Sequence, residues 1–264
     1  MKKHIFVVCA YQESPYLEEC LKSLKKQVIP AEIILCTSTP NPYIQRMSEQ
    51  FHVPLKVNET KGDIQIDWNY AYSIADAEYV TLVHQDDVYR PEYTECLYRA
   101  IEKYDDIVMF YTNYFPLKMQ GQERSIKKDI NCRLRSFLSF PMSIPCLANK
   151  VFWKKGSLRL GNSICCSSVT YHKSKLSEKD VFTSQLRYSL DWDTFLKLSD
   201  VEGRFVYERK ELTYFRIHDK ATSKQCIDNK MREKEDYIMF CKLWPRPVAK
   251  LIMIFYRLAY LNYK

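Results

Sequence analysis

Glycine is scarce, with five residues in 264, and none of them builds a glycine-rich phosphate loop near the N-terminus. That absence speaks against a nucleotidyltransferase. The ten cysteines contain no paired CxxC spacing, so they offer no zinc site of that kind. Core thiols in a reducing cytosol are expected, with Cys165 and Cys166 as neighbouring packing residues rather than a strained vicinal disulfide. No aromatic-rich RNA motif, zinc-finger spacing or helix-turn-helix pattern accompanies the basic charge, which sets nucleic acid aside as a partner. The apolar run of "MKKHIFVVCAYQ" stops by Tyr11, too short for a signal peptide. Repeats and low-complexity segments are also missing. What is present, including 20 Tyr and 13 Phe, belongs to an ordered chain with one substantial core. The balance of 40 Lys+Arg against 32 Asp+Glu, a net +8, suits an anionic ligand or surface and identifies neither.

Short apolar runs alternate with helical spacing. "IFVVCA" (5–10), "AEIILCT" (31–37), "VPLKVNE" (53–59) and "EYVTLVH" (78–84) read as buried strands. Between them, "SPYLEECLKSLKKQ" with Ser14 as N-cap, "NPYIQRMSEQF" and a segment from Asp63 read as helices. This order predicts an α/β fold, a mostly parallel sheet flanked by helices. A helix (91–103) and a strand (106–114) follow, then a basic stretch (115–140) that is either a solvated loop or a lid. "SICCSSVTYHK", a helix in "QLRYSLDWDTFLKLSD", the strands "RFVYERK" and "LTYFRIH", and one long helical tail from about Asn229 complete the chain.

Ligands of open α/β sheets bind outside the carboxyl ends of the strands. The residues to read are therefore Tyr11, Gln12 and Glu13, then Thr37 and Ser38, then Asp86 and Asp87. Adjacent carboxylates repel in a dry crevice, and a divalent cation such as Mg²⁺ or Mn²⁺, completed by phosphate oxygens, removes that cost. A bare Asp-Asp reads more readily as the start of the next helix, with Asp87 and Pro91 at its turn. Downstream, Asp191 and Asp193 open a helix, and a strand ends in Arg216-Ile217-His218. A strand-end imidazole is a suitable metal ligand beside carboxylate oxygens.

In this order the pieces resemble the inverting glycosyltransferases of family 2 with the GT-A fold, over roughly residues 3 to 225. The resemblance rests on "VVCAYQESPYLEECLKSLKKQ", "AEIILCTSTPN", "KGDIQIDWNYAYSIADAEYVTLVHQDD", "LDWDTFLKL" and "FRIHDKATS". It implies a nucleotide-binding half (1–112), an acceptor-binding half (113–225) and a C-terminal helical segment (226–264). It makes Ala10, Tyr11, Glu13, Ser38, Asp86 and Asp87 donor-binding residues, Asp86 and His218 ligands of a divalent cation, and Asp191 the general base. Asp193 is similar to a supporting acid. His84 stands where the family has the first Asp of its DxD element, Leu190 where it has an acidic residue, and Thr37-Ser38 where the second strand commonly ends in acids.

The activity implied is transfer of a sugar from a nucleotide-sugar to a hydroxyl of a glycan or lipid-linked acceptor, in the building of a cell-surface polysaccharide at the cytoplasmic face of the membrane. A catalytically silent sugar-binding domain on the same fold is the alternative that His84 and Leu190 raise. Arg216 and Lys220 are either phosphate clamps or surface charge, and Trp68 and Trp192 either sugar-stacking faces or core. The tail "RPVAKLIMIFYRLAYLNYK" (246–264) has an uninterrupted apolar stretch of six residues, whereas a membrane span needs ~20. It fits a helix lying in a membrane interface, with Tyr256, Tyr260 and Tyr263 near headgroups, or a helix packed on the domain.

Overall fold

The computed structural model of the chain describes residues 2–60, 63–120, 123–126, 130–176, 180–218 and 231–257. β1 (Lys2–Ala10), β2 (Glu32–Thr37), β3 (Leu55–Val57) and β4 (Ala77–His84) lie parallel in the order β3-β2-β1-β4. Helices cover both faces. Alternate side chains of β1 therefore enter opposite layers. Ile5 and Val7 pack with Trp68, Ala71 and Tyr72 of α3 (Ile64–Ser73). Phe6 and Val8 meet Leu17 and Leu21 of α1 (Leu17–Lys25), Ile44 of α2 (Pro42–Phe51) and Leu97 of α4 (Tyr93–Lys103). Each such side chain, fully buried, stabilises the fold by roughly 1.5–3 kcal/mol.

Local chemistry sets where the helices begin. The Asn41 side chain accepts from the Ile44 N–H at 3.0 Å, with Pro42 in the first turn. Asp63 accepts from the N–H groups of Gln65 and Ile66 and starts α3. Ser14 does not cap α1. Its hydroxyl accepts from Tyr16 N at 3.3 Å in a turn before the helix, and Tyr16 occupies the cap without a side-chain bond.

The sheet continues from β4 as β8 (Thr170–His172), β6 (Ile107–Gln120), β9 (Arg204–Ile217) and β5 (Val88–Tyr89), with β7 (Glu123–Ile126) on β6. β8 runs antiparallel to both neighbours, so the long strands β1, β4, β6 and β9 share one direction. β9 is one strand of 14 residues rather than two. Register shifts opposite Thr112, Asn113 and Tyr114 let the charged Glu208–Glu211 run bulge without breaking the pairing. The stretch read as an irregular basic loop holds the end of β6, β7 and α5 (Ile130–Ser139).

α6 (Pro145–Ala148), α7 (Val151–Leu158) and α8 (Leu190–Leu198) lie in the second half. The tail is two helices, α9 (Met231–Leu243) and α10 (Arg246–Tyr256), because Pro245 cannot continue the first. Among the described residues no helix is long and apolar enough to cross a membrane. Lys220, Tyr260 and Tyr263 lie outside the described residues.

Candidate active site

The carboxyl ends of β1, β2 and β4 are brought level by register, Ala10 beside Thr37 and Cys9 beside His84. They open onto one cavity of about 550 Å³. Ala10, Tyr11, Asp86, Asp191 and His218 all line it. The exposed Glu13 is not among its lining residues, and neither is Asp87. After β1 the chain turns sharply, with Gln12 at φ 54° and its N–H donating to Thr39 Oγ1 at 2.6 Å. Tyr11 is locked by both backbone groups to the Gln85 amide, at 3.1 and 2.9 Å. Ser38 acts through another residue: its hydroxyl donates to Asp67 Oδ2 at 2.8 Å, and Asn58 Nδ2 donates to Oδ1 at 3.1 Å. Asp67 lines the cavity and was not anticipated, because it sits inside α3 rather than at a strand end.

The adjacent carboxylates are separated by the backbone into two roles. Asp86 faces the cavity, where its Oδ2 lies 3.0 Å from His218 Nε2. Burial pushes this carboxyl up, but the His218 hydrogen bond and the His84 and His218 imidazoles outweigh it and hold the group below its ordinary range. Asp87 is 1% exposed, and its Oδ1 accepts from the backbone N–H of Arg216 at 2.8 Å. Burial first, then the Asp86 charge, raise it well above the ordinary range. Nor does Asp87 cap α4, whose N-cap is Glu92.

Arg216 is buried at 1% exposure and is no surface charge. Its Nε donates to the Asp86 carbonyl at 2.7 Å, its Nη2 to Glu19 Oε2 at 2.8 Å, and the guanidinium lies 4.3 Å over the Tyr16 ring. It thereby ties α1, the turn after β4 and the end of β9 together beneath His218. Burial lowers the His84 pKa against the opposing pull of Asp86, and its ring stacks on Trp68 with centroids 5.2 Å apart; both residues line the cavity. Trp192, at 1% exposure, is core, with its indole N–H on the Leu158 carbonyl.

Asp191, which also lines the cavity, sits in the first turn of α8. Burial raises its carboxyl to about 6, against the opposing pull of the Trp192 N–H, Arg135 and Asn162. Asn162 Nδ2 donates to its Oδ2 at 2.7 Å, which orients the group while leaving each oxygen a further lone pair. Arg135 and Arg187 line the same side. Leu190 is core at 1% exposure. Asp193 points away from the cavity, accepting from Ser184 at 2.7 Å, Lys197 at 3.1 Å and Lys242 at 2.5 Å, and so fastens α8 to α9. Glu235 of α9 takes the N–H groups of Arg187, Tyr188 and Ser189 at 2.8–3.0 Å, and holds the entry to α8 from outside the cavity.

Among the described residues no group of three or more His, Cys, Asp or Glu is arranged to hold a metal. Asp86 and His218 form a two-donor pair, one ionised carboxylate and one imidazole. That set fits a divalent cation that completes its shell with phosphate oxygens and water.

Solved structures share this architecture. S. aureus TarS (residues 1–349) superposes with a TM-score of 0.60 at 15% identity, over 95% of this chain and 69% of that one. The mannosyltransferase PcManGT from Pyrobaculum calidifontis gives 0.64 at 13% identity, over 95% and 68%. The fold is therefore GT-A. Glycosyltransferase GlyG of Streptococcus pneumoniae serotype 4 (strain ATCC BAA-334 / TIGR4) is 31% identical over 116 residues, 41% of this chain. The chain matches 38% of the length of that curated relative. The model of the family described as "Glycosyl transferase family 2" matches residues 5–158, and the chain belongs to that family.

Proposed function

We propose that this glycosyltransferase moves a sugar, with inversion, from a nucleotide-sugar to a hydroxyl of a glycan or lipid-linked acceptor in cell-surface polysaccharide synthesis, at the cytoplasmic face of the membrane. The observation that carries the reading is one cavity lined both by the Asp86–His218 pair and by a buried, raised carboxylate, Asp191. Solved relatives of the same fold support the donor class and a cation: TarS is known with UDP-GlcNAc and PcManGT with GDP-Man and Mn²⁺.

Asp67, held by Ser38 and Asn58, presents acceptor oxygens suited to the hydroxyl and N–H groups of a nucleoside. Ala10 and Tyr11 line the same cavity. Asp86 and His218 would hold the cation, which when bound neutralises charge developing on the leaving diphosphate. Asp191 takes the proton of the acceptor hydroxyl as that oxygen bonds to the anomeric carbon. The bond from carbon to the diphosphate oxygen breaks with its electron pair leaving on the diphosphate. A single base opposite the leaving group gives inversion.

The test is a panel of nucleotide-sugars with and without Mn²⁺, following release of nucleoside diphosphate. Metal-dependent release is expected in the wild type and lost in Asp86→Ala. Asp87→Asn, which keeps the acceptor for the Arg216 N–H, is expected to retain donor binding within about threefold by thermal shift, since a neutral hydrogen bond replaces one of similar geometry. Binding without turnover in the wild type would point instead to a silent sugar-binding domain.

A further inference from the structure

Two helices present an apolar stripe that no described residue covers. On α5, Ile130 at 79% exposure, Leu134 and Phe137 at 74% recur at i, i+4 and i+7. On α10, Val248, Leu251 and Ile254 repeat at intervals of three, with Phe255 66% exposed beside them, while Ala249 and Met253 on the other side are buried. A helix that packs by one face and exposes a second apolar face has a partner to find.

α7 lies between the two helices in the chain of contacts. α7 packs against α5 and adds exposed Val151 and Phe152. The Arg159 guanidinium lies 5.3 Å over the Phe152 ring and 5.7 Å over that of Trp244. Trp244, immediately before α10, donates its indole N–H to the Arg159 carbonyl at 2.8 Å.

Charge selects the partner. Residues 130–160 contain six Lys or Arg and residues 244–257 contain three, with no Asp or Glu in either segment. Lys154 is buried, Arg135 lines the cavity, Arg159 lies over two rings, and Lys155 and Arg257 pair with Asp200 and Glu233, which leaves four to the surface. Arg133, Lys150, Arg246 and Lys250 are exposed. A second copy of the same face would set like charges against each other. Anionic headgroups complement those charges, and the acyl boundary beneath them accepts the apolar residues.

We propose that α5, α7 and α10 form a docking face for an anionic lipid bilayer. It deepens the membrane location proposed above, and α10 connects it to the site, since Tyr256 lines the cavity and packs on Trp192 and Phe240. An acceptor held in the bilayer would thus reach the Asp191 side of the cavity.

Sedimentation of the full chain with phosphatidylcholine vesicles, with and without phosphatidylglycerol, tests the face without any turnover. Its outcome is therefore separate from that of the transfer assay. Wild type is expected to bind the phosphatidylglycerol vesicles at least about tenfold more tightly, weakening as salt rises. Leu251→Ser with Ile254→Ser should lose roughly tenfold or more on these vesicles. Arg246→Glu with Lys250→Glu, which leaves the apolar residues in place, should remove the preference for phosphatidylglycerol. Failure of wild type to bind either vesicle overturns the proposal. So does a wild-type dimer in sedimentation equilibrium that Leu251→Ser with Ile254→Ser converts to monomer.

Discussion

Burial at Asp191 has two consequences of opposite sign, one for activity and one for stability. Its carboxyl is raised to about 6, so in the folded protein it holds a proton, between the ordinary carboxylate range and pH 6, that the unfolded chain has released. Folding is therefore favoured as pH falls through 6, and above that the buried charge costs roughly 3 kcal/mol. The proposed role of Asp191 as base requires the ionised form, so transfer is expected to fall about tenfold per pH unit below 6. Asp191→Asn removes the charge and the base together. It is expected to lose about 10²–10⁴-fold in transfer. Its amide does not titrate but sets an NH2 against one of two donors, Asn162 Nδ2 or the Trp192 N–H, at every pH, so its melting temperature relative to wild type should fall from pH 8 to pH 5. Rate–pH profiles and paired melting curves check both signs, and a difference in melting temperature that stays constant between pH 8 and pH 5 would refute the account of burial.

At the scale of elements, the start of α8 depends on a helix distant in sequence. Glu235 of α9 satisfies three successive backbone N–H groups, those of Arg187, Tyr188 and Ser189, just where the helix carrying Asp191 begins. Carboxylates favour helix N-termini, and these three donors have no intrahelical acceptor. Glu235→Ala is expected to cost about 2–4 kcal/mol in urea unfolding, since buried donors lose a charged acceptor. It should lower kcat more than it raises the KM for donor, because the bonds of Glu235 reach only the segment that leads into Asp191. Glu235→Gln, which keeps one acceptor oxygen, should recover part of both. Nothing local in "MREKEDYIMF" marks this carboxylate, because its partners lie 46 to 48 residues away. The same holds for Asp67 and Asn162, which no strand end or motif announces. Asp86, Asp191 and His218 were legible because five weak segments came in family order. α2 and α3 were legible because Asn41-Pro42 and Asp63 carry their start signals in the sequence. β9 was misread as two strands because charge in the middle of a strand resembles a turn, and β5, two residues long, has no pattern to show.

At the scale of the whole molecule, the boundary expected at residues 112 and 113 falls inside β6, and the halves share one sheet. Parallel buried runs announce themselves by apolar content, but the position of β8 between β4 and β6 follows from no local signal. That position interlocks the halves. Tyr79, Val80 and Thr81 of β4 pair with His172, Tyr171 and Thr170 of β8. The seam is closed by a 2.6 Å bond between the Thr81 and Thr170 hydroxyls, by Tyr93 donating to the Ser168 carbonyl, and by His172 Nδ1 on the Ile107 carbonyl. Residues 1–112 alone would expose the β4 edge and exchange these bonds of Thr81, Tyr93 and Ile107 for bonds to water, at about 0.5–1.5 kcal/mol each, beside the apolar surface uncovered. Stability of domains is only about 5–15 kcal/mol, so the losses consume a large part of it. The full chain is therefore expected to unfold in urea in one transition, coincident by tryptophan fluorescence and far-UV circular dichroism, with Trp68 reporting one half and Trp192 the other. The fragment 1–112 should show no cooperative transition and should bind a hydrophobic dye. A sharp transition in that fragment, or two separated transitions in the full chain, would mean that the halves fold independently and that the cavity between them forms by docking.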